Sequence, residues 1–253
     1  MAELPELIGR PPSGRTFDGE RVVSMADVAP DGRMRFDAIA RFLGDIANDD
    51  TDDAGFAAKG LAWVARRSTM VVHAFPVSRE RLTMTTWCSG TGKRWAERRT
   101  SIVGDAGGGV EAAALWVHLD PDSGRPVPWG DEFAAAYLEA AQGREVSSRL
   151  ALPKEPEDPP SDGVRNEMPW SFRYADHDIF DHVNNAAYLA VLEEALAGGT
   201  PPAPLRVDIE WRQPIGAGVS LRVIEHVSPA GMTMWLRDGD NSVAVISGTP
   251  LAS

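Results

Sequence analysis

Asp176-His177-Asp178 and Asp181-His182 put three acids and two histidines side by side, and Asn184-Asn185 follow at once. Beyond them Tyr188, Val191, Leu192, Ala195 and Leu196 keep the spacing of one helical face. Ala186, Ala187, Leu189 and Ala190 make most of the remainder apolar, which is the pattern of a buried helix. The spacing therefore predicts carboxylates and imidazoles at the amino end of a core helix. Free N–H groups and the positive end of the dipole favour a developing negative charge there. The same residues also suit a structural role, with the acids complementing the dipole and the Asn pair capping the helix.

The rest of the chain must position that stretch. Thr16 to Val28 can form a strand, and Phe36, Ile39, Ala40, Leu43, Ile46 and Ala47 keep helical spacing. Asn48 to Gly55 reads as a solvated acidic loop, without the spacing of a calcium loop. Strands are expected over Leu61–Phe75, Leu82–Trp87, Trp95–Val103 and Val110–Leu119, with tight turns between them, so the sheet should be antiparallel. Asp131 to Gln142 reads as a second helix, and Glu145 to Pro169 as a linker rich in Pro, Asp, Glu and Ser. The plan then repeats. Trp170–Tyr174 is a strand, the buried helix follows, and Gly198-Gly199 with Pro201-Pro202 stops it. Four more strands fall at Leu205–Trp211, Val219–Val227, Met232–Arg237 and Ser242–Ile246. Strand, helix and four strands occurring twice is an internal duplication. A sheet curled round one long helix satisfies the layer rule, so the expected architecture is α+β, a tandem hotdog. Its units are residues 1–143, a linker 144–168, and residues 169–253.

Composition narrows the partners. The 253 residues carry a formal net charge of −12, against general nucleic-acid binding or adhesion to anionic membrane. Cys88 is alone, so neither a disulfide framework nor a cysteine metal site is expected, and the cytoplasm is the expected compartment. No run is long enough for a membrane span, and the acidic, proline-containing start lacks the signal-peptide pattern. Residues 59–99 hold nine basic residues against Glu80 and Glu97, a candidate basic patch for an acidic carrier protein or for phosphates.

Tyr174-Ala175-Asp176, Asp178, His182-Val183-Asn184-Asn185 and Tyr188 resemble the Y-A-D-x-D-x-x-G-H-V-N-N-x-x-Y stretch of hotdog thioesterases. Gly44–Asp49, Trp63–Arg66, Thr86-Trp87, Trp116–Asp120 and Glu210–Pro214 extend the resemblance to the acyl-ACP thioesterases. That resemblance implies hydrolysis of acyl thioesters carried by acyl carrier protein or coenzyme A, without metal or other cofactor, by a monomer or homodimer. It implies Asp178 as nucleophile or base, His182 as carbonyl donor or water holder, and N–H groups near Asn184 and Asn185 holding the oxyanion. Phe180, Tyr188, Phe36, Ile39, Trp63 and Arg66 are the expected substrate contacts. Phe180 stands where the plant motif carries Asn, Pro214-Ile215 where it carries Glu-Cys, and Asp181 where the single-hotdog motif carries Gly. The first repeat offers Ala29-Pro30-Asp31-Gly32-Arg33-Met34 at the matching place, so one active centre per chain is expected. Two other readings stay open: a hotdog dehydratase or hydratase, and a non-catalytic acyl-thioester binding module.

Overall fold

In the computed structural model, which describes residues 6–56, 62–159, 161–197 and 199–252, alternation decides which side of each strand turns inward. In β3 (Arg81–Thr91), Leu82 and Met84 are fully buried while Arg81 and Thr83 are exposed. The other strands of the first half are β1 (Thr16–Val22), β2 (Ala62–Ala74), β4 (Trp95–Gly104) and β5 (Gly109–Leu119). Those of the second are β6 (Val164–Ser171), β7 (Leu205–Trp211), β8 (Ser220–Ser228), β9 (Gly231–Asp238) and β10 (Asn241–Pro250). They form one ten-stranded sheet in the order β1-β3-β4-β5-β2-β7-β10-β9-β8-β6. Every pairing is antiparallel, and the second half of the order mirrors the first. The halves join edge to edge at β2 and β7, with Arg67 opposite Glu210 and Met70 opposite Val207. This is the expected tandem hotdog, with the twofold of a dimer built into one chain.

The helices fill the inner face. Phe36, Ile39, Phe42 and Ile46 of α1 (Phe36–Asp53) share one core with Tyr188, Leu189, Val191 and Leu192. That core includes Met70, Met84, Ile102, Val207, Val223 and Leu236 from both halves of the sheet. Each such side chain contributes about 1.5–3 kcal/mol on burial. No helix among the described residues is long and apolar enough to cross a membrane.

Four local expectations are corrected. The acidic stretch Asn48–Asp53 is the last part of α1, and Asp50 is buried. Its carboxylate accepts from Arg15 Nε (2.7 Å), Arg98 Nη1 (2.6 Å) and the Tyr137 hydroxyl (3.0 Å). Tyr137 comes from α2 (Asp131–Ala141), so partners distant in sequence convert a solvent-seeking charge into an internal one. The buried helix of the second half is shorter than its apolar run: a 3-10 turn, Asn185–Tyr188, leads into α3 (Leu189–Ala195). The strand expected over Trp170–Tyr174 begins earlier, at Val164, and Tyr174 belongs to a 3-10 turn, Tyr174–Asp176. Residues 144–155 run across the sheet instead of hanging free. Val146 N–H donates to Thr91 (3.0 Å), Leu152 N–H to Glu210 Oε1 (3.0 Å), and Trp235 Nε1–H to Pro153 (2.9 Å). Lys59, Leu61 and Gly198 lie outside the described residues.

The basic stretch does not form one surface. Arg67 pairs with Glu97, Arg98 with Asp50 and Arg99 with Glu111. Arg79, Lys93 and Arg94 remain exposed, but at opposite ends of β3. A strand of that length separates them by about 35 Å.

Candidate active site

The Asp178 loop is built from backbone upward. Asn184 N–H donates to the Asp176 carbonyl (2.8 Å), Asp178 N–H to His182 (2.8 Å) and Asp181 N–H to Asp178 (3.1 Å). His177 and Val183 bridge each other, His182 bridges Gly216, and Val183 N–H donates to the Ile215 carbonyl (2.9 Å). Pro214-Ile215 thus stands beside the loop as a backbone clamp where the plant motif has polar side chains. Asp181 takes a left-handed conformation, φ 59°. That region strains a side chain with a Cβ, although Asp tolerates it better than most. Asp181→Gly is expected to stabilise the fold by roughly 0.5–1 kcal/mol, read as a shifted urea midpoint.

Asp176 anchors the start of the loop. Its Oδ2 accepts from Arg173 N–H (2.7 Å), and Arg173 Nη2 donates to Oδ1 (2.7 Å). The Arg173 guanidinium holds this carboxyl below the usual carboxylate range, against the opposite pull of partial burial. A depressed folded value means the pair contributes fully above the unfolded value. Its contribution fades as pH falls through the depressed one. An NMR titration of Asp176 is expected to show a midpoint below about 3.9.

Asp178 is half-buried. Its Oδ1 accepts from Phe180 N–H (2.9 Å) and His182 N–H (3.3 Å), which fixes the carboxylate over the loop. Tyr188 lies beneath it, buried in the core, and its hydroxyl is pushed up by burial and by the Asp178 charge. His182 and Asn184 are exposed and Asn185 is half-buried. Asn184 Oδ1 caps the turn by accepting from Ala186 N–H (2.9 Å), and its own N–H is spent on Asp176. Asn185 N–H, at the first position of the turn, has no acceptor among the described residues. His177 is partly buried with Nδ1 against the Arg173 carbonyl (3.0 Å).

The expected substrate contacts separate. Phe180 is 72 % exposed at the tip of the loop, beside Ile179, so it is a rim residue and not part of a groove wall. Phe36 and Ile39 are fully buried in the core that holds Tyr188. Arg66 is brought near: Nη1 donates to the carbonyls of Trp211 (2.8 Å) and Arg212 (3.1 Å), and the Trp211 ring meets the Tyr188 ring edge-on at 6.5 Å. Trp63 is not brought to Asp178. A bulge between Ala65 and Arg67 changes the alternation of β2, and Trp63 stacks on Phe133 (5.1 Å) and meets the His118 ring at a tilt (5.0 Å). That cluster sits beyond the carboxyl end of α1, where it lines a cavity of about 250 Å³. A larger cavity of about 550 Å³, lined by His73, Trp87, Arg99 and Glu111, lies on the outer face of the sheet, away from this loop. Among the described residues no cluster of His, Cys, Asp or Glu is placed to hold a metal.

Models of the acyl-ACP thioesterase N-terminal domain and C-terminal domain match residues 14–137 and 161–243. The chain belongs to the acyl-ACP thioesterase family. An uncharacterized protein of Mycobacterium tuberculosis is 26 % identical over 244 residues, 95 % of each chain. Oleoyl-acyl carrier protein thioesterase 2 of Arabidopsis thaliana is 26 % identical over 207 residues, 72 % of this chain and 54 % of that protein. The solved 12:0-ACP thioesterase from Umbellularia californica superposes with a TM-score of 0.74 at 18 % identity, over 92 % of this chain and 96 % of that one, a likeness of fold. For this acyl-ACP thioesterase family member, both repeats are therefore accounted for, and the loop at Asp178 falls within the matched C-terminal domain.

Proposed function

We propose that this protein hydrolyses acyl thioesters, with acyl carrier protein as the preferred carrier and coenzyme A as the alternative, at the Asp178 loop. One observation carries the choice of site. The two repeats build the same loop, and only the second has a carboxylate at the position that opens it: Ala29 takes the place of Asp178, while Asp31 of the first loop is paired with Arg33. Asp178 activates a water or attacks the carbonyl, and the thiolate leaves without a strong general acid. Asn185 N–H is placed to receive the carbonyl oxygen as charge develops on it, and one such donor is worth roughly 3–4 kcal/mol. His182 orients the water from the exposed side of the loop. The continuous pairing of β2 with β7 supports a monomer, since the chain supplies its own twofold. A buried Cys88, its thiol pushed up to about 11 by burial, suits the cytoplasm.

Incubating the protein with acyl-ACP and acyl-CoA of several lengths and following free thiol tests the reading. Steady thiol release is expected. Binding without release would favour the non-catalytic module, and a change in the acyl chain without release would favour the dehydratase or hydratase.

A further inference from the structure

The two repeats correspond residue for residue around their loops, but what faces each loop differs. Arg173–Asp176 matches Ser24–Asp27, both with an acid closing the turn onto the first residue's N–H. Asn184 N–H to Asp176 matches Arg35 N–H to Asp27 (2.9 Å), and Val183 to Ile215 matches Met34 to Pro76 (2.7 Å). Asp178 to His182 matches Ala29 to Arg33 (2.8 Å), and left-handed Asp181 matches left-handed Gly32. His182 therefore corresponds to Arg33, and Asn185 to Phe36.

At the first loop the opposite helix closes the space. Glu193 of α3 pairs with Arg33, accepting from Nη1 at 3.2 Å and from Nη2, and it also accepts from Phe36 N–H at 3.2 Å. Arg33 is buried in this arrangement. Carried through the same correspondence, the residue facing the second loop is Gly44 of α1. α1 packs on both α3 and the turn Asn185–Tyr188, as this requires. A Cβ built on Gly44 meets nothing within 4 Å, and its φ lies outside the region that favours glycine. A glycine inside a helix weakens it relative to alanine, and here neither crowding nor backbone conformation accounts for one.

We infer that Gly44 determines access to the second loop: its missing side chain keeps open, opposite Asn185, the slot that Glu193 fills in the first loop. The thioester group of the substrate enters that slot, so the inference rests on the thioesterase reading. Glu193 marks the position within the same molecule. Its carboxylate oxygen sits on Phe36 N–H as a thioester oxygen would sit on Asn185 N–H. One loop is thereby sealed and the other served by two coupled differences, Glu193 against Gly44 and Ala29 against Asp178.

The test uses Gly44→Ala and Gly44→Glu in the full chain, with Gly44→Gln as the uncharged variant of the same length should the Glu form not fold. Hydrolysis is read by thiol release from acyl-ACP and acyl-CoA, and binding by calorimetry with an S-alkyl thioether of coenzyme A. Gly44→Ala, which adds one carbon where nothing lies within 4 Å, is expected to raise Tm and to lose less in kcat/KM than Gly44→Glu. Gly44→Glu, or Gln in its place, is expected to lose at least about 100-fold in kcat/KM and to lose thioether binding, at a Tm close to the parent. Asp178→Asn should still bind the thioether. A folded Glu or Gln variant that turns over within about tenfold of the parent, or binds the thioether undiminished, overturns the slot and leaves the thioesterase reading standing. A parent that neither releases thiol nor binds the thioether overturns both.

Discussion

Asp178→Asn is expected to lower thioester hydrolysis by about 10³-fold or more while the fold and ligand binding persist. The replacement is nearly isosteric. Its Oδ1 can still accept from Phe180 and His182 N–H, so the loop keeps its geometry. What disappears is the negative charge that attacks or deprotonates water. The expected pattern is a fall in kcat with KM little changed, at an unfolding midpoint within a few degrees of the parent. The comparison needs thiol-release kinetics and a melting curve on the same preparations. Hydrolysis within about tenfold of the parent would remove Asp178 from the chemistry.

The second large effect is on stability. Asp50→Ala is expected to cost about 3–5 kcal/mol, because it leaves internal cations without their counterion. Asp50 is 1 % exposed, and its carboxylate joins Arg15 of the lead-in, Arg98 of β4 and Tyr137 of α2 at the end of α1. Asp50→Asn keeps the acceptor for Tyr137 and loses the charge, so an intermediate loss is expected. Urea unfolding distinguishes these outcomes. A loss below about 1 kcal/mol for the alanine variant would mean that the cations find solvent or other partners.

Both effects have a counterpart in how each residue reads in sequence. Asp178 stands out because local chemistry surrounds it: acids, histidines and an Asn pair lie directly before an apolar run. Asp50 sits in NDDTDDAG and reads as solvated loop, since its partners come from Arg15, Arg98 and Tyr137. Trp63 shows the same limit from the other side. A matched position on a strand does not fix which face it occupies, and one bulge in β2 turns it toward α2. The nine basic residues of 59–99 likewise look like a patch until three of them pair with Glu97, Asp50 and Glu111.

By itself the sequence determined the duplicated order of strands and helix, the curled antiparallel architecture, and the loop where a carboxylate meets the start of a buried helical segment. These are legible because periodicity, turn residues and capping act between near neighbours in the chain. Only the tertiary structure decided which charges are internal, that Ile215 clamps the Asp178 loop, and that Glu193 closes the first loop. Those outcomes depend on which residues the β2–β7 junction and the packing of α1 against α3 bring together, and contacts across 150 residues leave no periodic trace in the chain.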